Sequence, residues 1–220
     1  MNISSAALVC ASFLVATCAN AQTLYENFPS EINADEKYVF YSHGFIVEGE
    51  NERPVHEEFG VYDFPAIKEE LFAIGHFNLI AHHRPANIAI EDYVEKFTAW
   101  VNSLLDAGVS PTNITLIGFS RGSHLTALTA DRLNEHDINT VIMAGCMEGD
   151  ITVDPPITLS GRFLSIYETT DTPGSCQQLA SRSQLTTFDE IEITTGKKHG
   201  AFYTPLNAWI SPIKEWYLRY

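Results

Sequence analysis

Gly118-Phe119-Ser120-Arg121-Gly122 sets one serine between two glycines, after an apolar run (Ile114, Leu116, Ile117) and before a helical pattern. Flanking glycines suit a strand-to-helix turn so tight that the serine is strained and its hydroxyl is pushed out beyond the strand end. Such a hydroxyl attacks a carbonyl only if a base removes its proton and pre-aimed donors receive the charge on the attacked oxygen. Histidine is the side chain that exchanges a proton near neutrality. His199, in Lys197-Lys198-His199-Gly200, follows the last predicted strand, and Asp171 follows the strand before it. Glu168, in the same turn as Asp171, competes for the acid's role. Read as plain structural residues, Ser120 would be a helix N-cap and His199 a surface histidine beside two lysines. The chemistry that the three suit together is acyl transfer.

The elements that must position these groups alternate between strand and helix. Tyr38-Val39-Phe40-Tyr41 is dense in aromatic and β-branched residues and reads as the first strand, ending at Ser42-His43-Gly44. Residues 48–58 are charged and read as a loop, and residues 22–37 as an extended leader. Asp63 caps a predicted helix to Ile74, with Ile67, Leu71 and Ile74 on one face. Residues 77–81 form a strand that runs into His82-His83-Arg84-Pro85. Residues 91–107 carry Tyr93, Val94, Phe97, Val101, Leu104 and Leu105 at helical spacing, with Gly108 as the stop. A helix follows Ser120 to about residue 134. Strands at 140–144, 162–167 and 190–194 and a closing helix at 205–220 complete the pattern. Short continuous apolar strands alternating with helices predict an α/β fold: a doubly wound, mostly parallel sheet of about six strands, helices on both faces.

In such a sheet, functional groups collect at the C-terminal ends of the strands. Those ends carry His43-Gly44-Phe45, Arg84, Ser120, Gly145-Cys146, the turn 168–171 and the run 196–200. With a serine, a carboxylate and a histidine in that chain order, the sequence resembles the α/β-hydrolase superfamily over nearly all of the chain beyond residue 21. The resemblance implies Ser120 as nucleophile, Asp171 as acid and His199 as base. It also implies the backbone N–H groups of Phe45 and Arg121 as the oxyanion hole, with His43-Gly44 as the loop that supplies half of it. The stretch from His43 to Glu48, HGFIVE, is similar to small bacterial hydrolases of this fold. His43 is expected to anchor its loop rather than carry protons. Glu48 and Arg84 are expected near the pocket mouth, paired with each other or with Arg84 meeting a substrate carboxylate. Larger members have extra N-terminal strands, which are not expected here. The segment between the fourth and fifth strands, residues 147–161, is short where lids are commonly inserted, so a nearly lidless site preferring short acyl chains is expected.

Adjacent His82 and His83 point to opposite faces of a strand, and no further ligand stands at metal spacing, so neither metal nor cofactor is expected. A formal net charge of −15 argues against nucleic acid or an anionic membrane as partner. Residues 6–16 are an apolar run of signal-peptide length, followed by Ala19-Asn20-Ala21, which reads as a cleavage site before Gln22. The run is too short to span a membrane. Val15-Ala16-Thr17-Cys18 offers a weaker lipid-anchor reading at Cys18. Residues 1–21 are thus read as a signal peptide, and 22–220 as one exported domain, periplasmic or secreted. Export leaves Cys146 and Cys176, read as a disulfide, with two buried thiols as the alternative. The function expected is an exported serine hydrolase cleaving a small-molecule or polymer-borne ester. A peptidase, amidase or thioesterase with the same triad is the rival, and a non-catalytic binding module the more distant one.

Overall fold

The computed structural model describes residues 22–146 and 156–219. Its main sheet has seven strands, all parallel, in the order β1 (Leu24–Tyr25), β5 (Asn78–Ile80), β2 (Tyr38–Ser42), β6 (Ile114–Phe119), β7 (Asn139–Met143), β8 (Ser160–Glu168) and β9 (Gln184–Ile193). A separate antiparallel pair, β3 (Val55–His56) and β4 (Gly60–Val61), forms a small arm. The helices are α1 (Phe64–Ala73), α2 (Ile90–Asp106), α3 (Arg121–Arg132), α4 (Gln177–Arg182) and α5 (Asn207–Leu218).

Alternation along each strand divides the core into two layers. Val39, Tyr41, Ile117, Phe119, Val141 and Met143 face α1 and α5, where Leu71, Trp209 and Trp216 meet them. Tyr38, Phe40, Leu116 and Ile142 face the other way, onto Phe97, Val101 and Leu104 of α2 and Leu125 of α3. Every residue of β2, β6 and β7 is buried, as a sheet covered on both faces requires. The helix signals act as expected at both ends of the chain's first half. The Asp63 carboxylate accepts from Ala66 N–H at the start of α1, and Gly108 takes φ +91° just past α2.

Three features differ from the sequence expectation. The leader contributes strand β1, which pairs with β5, so the sheet has seven strands rather than six. Two residues are too few to show a period, and only the exposed edge of β5 makes them a strand. The charged loop after Glu48 folds into the β3–β4 arm. Strand β9 begins at Gln184 rather than 190 and is preceded by α4, because an edge strand tolerates polar residues that blur its pattern.

The connection from β2 through α1 leads to β5 on one side, and α2 then carries the chain back across β2 to β6. The sheet order therefore reverses between β2 and β6, whose ends are level, with Ser42 paired to Gly118. A crevice opens at such a switch point, beyond the strands' carboxyl ends.

Candidate active site

Ser120 occupies the turn from β6 to α3 at φ 54°, ψ −121°, a conformation costly for any residue with a Cβ. The flanking glycines are required by the space around them. A Cβ on Gly118 would stand 2.4 Å from the carbonyl oxygen of Gly122, and one on Gly122 would stand 1.9 Å from that of Ser42. The turn is pinned to the next strand, where Ser120 N–H donates to Met143 O at 3.0 Å. Ser123 Oγ lies 2.7 Å from Gly118 O and 2.8 Å from Met143 O, one proton serving two carbonyls. Ser120 sits at the N-cap position of α3 but makes no side-chain cap bond. Its Oγ instead lies 2.8 Å from His199 Nε2.

His199 belongs to a 3-10 turn, Lys198–Phe202, entered through Lys198 at φ 51°. Its Nδ1 lies 2.6 Å from Asp171 Oδ2. One tautomer serves both contacts: Nδ1–H donates to the carboxylate, and the Nε2 lone pair accepts from the serine hydroxyl. The imidazole is flanked by Phe119 and Phe59, with ring centroids 4.8 and 6.1 Å away. Phe59 lies between β3 and β4, so the arm forms one wall of the site. Lys198 Nζ meets Glu58 Oε1 at 2.8 Å across the same junction.

Of the two carboxylates at the end of β8 and in the turn that follows, only Asp171 reaches the imidazole. Its other oxygen, Oδ1, accepts from Thr172 N–H at 2.9 Å. Glu168 is buried and its oxygens receive donors from elsewhere. Oε2 accepts from the N–H and the hydroxyl of Thr170, both at 2.6 Å. Oε1 accepts from the N–H groups of Thr195 and Gly196, both at 2.9 Å, and from Thr195 Oγ1 at 3.2 Å. Burial alone would raise the Glu168 pKa, but the Thr170 hydroxyl and the three backbone donors outweigh it and hold it at about 2.

Glu48 and Arg84, expected near the pocket mouth, have buried side chains and pair with each other, one of the two arrangements the sequence allowed. His43 is fully buried, with Nδ1–H donating to Gly44 O at 2.8 Å and Nε2 accepting from Arg84 N–H at 2.9 Å. Burial first, then the Arg84 charge, push its pKa well below 6.5, so it is neutral and anchors its loop. Arg84 is also fully buried. It donates to the carbonyls of His43 and Gly44, stands over the Tyr93 ring and pairs with Glu48, so no face of it reaches a substrate. Glu48, its side chain 3 % exposed, also holds Arg121, with Oε1 2.8 Å from Nε. Gly44 packs against Phe119, which would crowd a Cβ at 3.0 Å.

Phe45 and Arg121, each the first residue of its helical turn, have backbone N–H groups that no helical carbonyl precedes. An open cleft of about 470 Å³ beside Ser120 is lined by Phe45, Ile90, Arg121 and His124. Ile90, His124 and Phe59 carried no sequence signal, since nothing in their spacing ties them to Ser120. Phe119 was within reach, as the variable residue inside the glycine-flanked motif.

Cys146, just beyond β7, is disulfide-bonded to Cys176 at the start of α4, and the closed loop contains Asp171. His82 and His83 bind main-chain carbonyls, of Glu26 at 3.1 Å and of Val47 at 2.6 Å. Among the described residues no group of three His, Cys, Asp or Glu is placed to hold a metal ion, and no helix is long and apolar enough to cross a membrane. Residues 1–21, read as a signal peptide and including Cys18, and residues 147–155 of the short connecting segment lie outside the described residues.

No protein-family model matches the sequence, and no curated protein matches it. Solved structures do. Esterase PE8 is 15 % identical, with a TM-score of 0.54 over 84 % of this chain and 93 % of its own. An esterase/lipase from an uncultured bacterium is 13 % identical, with a TM-score of 0.53 over 84 % and 77 %. SOBER1 from Arabidopsis thaliana is 12 % identical, with a TM-score of 0.51 over 84 % and 98 %. At these identities the likeness is one of architecture, and it agrees with the sheet order and the switch point: the chain has the α/β-hydrolase fold.

Proposed function

We propose that this protein is an exported serine hydrolase that cleaves esters through an acyl-enzyme. The observation that carries the reading is the single imidazole bridging Ser120 Oγ at 2.8 Å and Asp171 Oδ2 at 2.6 Å, with the serine in a strained elbow. Solved neighbours whose names say esterase lend it further support. In the proposed reaction His199 Nε2 takes the Ser120 proton as Oγ attacks the ester carbon. Asp171 holds the ring in the Nδ1–H tautomer and stabilises the imidazolium. The backbone N–H groups of Phe45 and Arg121 receive the oxyanion, and losing one such donor typically costs about 10²–10³ in rate. The imidazolium then protonates the departing alkoxide, leaving an acyl group on Ser120. Water, activated by the same imidazole, releases the acid.

The substrate proposed is a small or polymer-borne ester with a short acyl chain. A cleft of about 470 Å³ with Phe45 and Ile90 on its walls suits a few apolar carbons. Export is proposed from the N-terminal apolar run and Ala19-Asn20-Ala21, and a disulfide is at home in an oxidising compartment.

Labelling with a fluorophosphonate tests the chemistry. Folded wild-type protein should react and the Ser120→Ala variant should not. Absence of wild-type labelling would end the hydrolase reading, and labelling that survives the substitution would point to another serine. A series of p-nitrophenyl esters tests the substrate class: short chains should be preferred, and preference for ten or more carbons would contradict it.

A further inference from the structure

Asp171 and His199 come from two different loops, yet their hydrogen bond needs both placed to within a few tenths of an ångström. The acid follows β8 and the base follows β9, adjacent parallel strands whose pairing ends at Glu168 and Ile193. Beyond that point Thr169 N–H still reaches Ile193 O, at 3.0 Å. From there the two chains turn away from the sheet, and the buried Glu168 carboxylate stands between them. One oxygen takes both donors of Thr170, the residue before the acid. The other takes the N–H groups of Thr195 and Gly196, which lead through Lys197 and Lys198 to the base.

Resting on the hydrolase reading, we infer that Glu168 is a positioning residue whose two oxygens fasten the acid's turn to the base's turn and so set the Asp171–His199 distance. The charge matters as well as the shape. A carboxylate is acceptor-only at both oxygens, whereas the amide of glutamine presents donors on one side. Glu168→Gln therefore turns N–H groups toward N–H groups at one turn or the other and releases it. Loss of register in the acid–base pair should appear in turnover rather than in binding, because the cleft is lined by Phe45, Ile90, Ser120, Arg121 and His124 and by neither turn.

The test compares Glu168→Gln with Leu133→Ala, a buried change at the far end of α3 that destabilises without touching the site. Steady-state rates on p-nitrophenyl acetate are normalised to serine titrated with fluorophosphonate. Glu168→Gln should lower kcat about 10²-fold with KM within about threefold, while Leu133→Ala leaves kcat within about twofold. A folded Glu168→Gln protein with kcat within about threefold of wild type would overturn the inference. If that variant does not fold, the Thr170→Val, Thr195→Val double variant, which keeps all backbone donors, carries the test: kcat lowered about fivefold or more supports it, and unchanged kcat overturns it. The downfield Nδ1 proton of His199, read by NMR, needs no turnover. If wild type proves inactive, a resonance present in wild type and lost in Glu168→Gln still supports the clamp, and one retained in both overturns it.

Discussion

Glu48 and Arg121 meet with 2.8 Å between Oε1 and Nε, and this contact joins the two segments that supply the proposed oxyanion donors. Glu48 closes the 3-10 turn that begins at Phe45, and Arg121 opens α3. The same carboxylate oxygen receives Arg84 Nε at 3.3 Å, so one buried negative charge holds two guanidiniums. Removing it leaves Arg84 buried without its counter-charge. Glu48→Ala should therefore cost about 3–5 kcal/mol, measured by urea unfolding, whereas Arg121→Ala, at the part-exposed end of the network, should cost about 1 kcal/mol or less.

Asp171 is tested apart from Glu168. Asp171→Asn keeps the volume but removes the charge and favours the wrong imidazole tautomer. Its kcat on a small ester should fall about 10³–10⁴-fold with the fold intact by circular dichroism. A loss of less than tenfold would mean that the carboxylate is not the proposed acid.

Gly122 has no room for a side chain, with Ser42 O only 1.9 Å from the position of a Cβ. Gly122→Ala must push α3 away from the end of β2 and carry Arg121 with it. Destabilisation of at least about 1–3 kcal/mol is expected, together with loss of fluorophosphonate labelling in whatever protein folds.

The Cys146–Cys176 bond closes a 30-residue separation around the turn that carries Asp171. On the chain-entropy model that loop is worth about 3–4 kcal/mol. The double serine variant should show that loss in urea unfolding. Both cysteines are buried, so mild reductant should leave the folded protein oxidised.

Acidification should weaken the fold in two stages. His43 is held neutral with its pKa well below 6.5, so stability is full above about 6.5 and is lost as the pH falls toward the folded value. Glu168 is depressed from 4.5 to about 2, so its contribution is present above 4.5 and is lost between 4.5 and 2. At about 1.4 kcal/mol per unit, that second stage is worth on the order of 3 kcal/mol. Urea midpoints taken from pH 7 down to about pH 2 should trace both stages, and Glu168→Gln should flatten only the lower one.

Features that depend on neighbours along the chain could be read from the order of residues. Gly118 marks the elbow because the clash it avoids, with Gly122 and Ser123, lies within a few residues. The periodicity of α2 and the continuous apolar run of β6 specify their elements because each buries a fixed face. That Ser120, Asp171 and His199 each lie beyond a strand end was legible because strands alternate with helices. Which carboxylate meets His199 was legible only as a preference for Asp171, since Glu168 lies three residues away and differs from it only in direction. The burial of the Arg84 and Glu48 side chains was not legible, since they read as lying near the pocket mouth until His43, Gly44 and Arg121 are brought around them. Strand β1 and the arm bearing Phe59 likewise exist only through partners distant in sequence. Those decisions belong to the tertiary structure, because a hydrogen bond between residues far apart in the chain is set by the register of the sheet that brings them together.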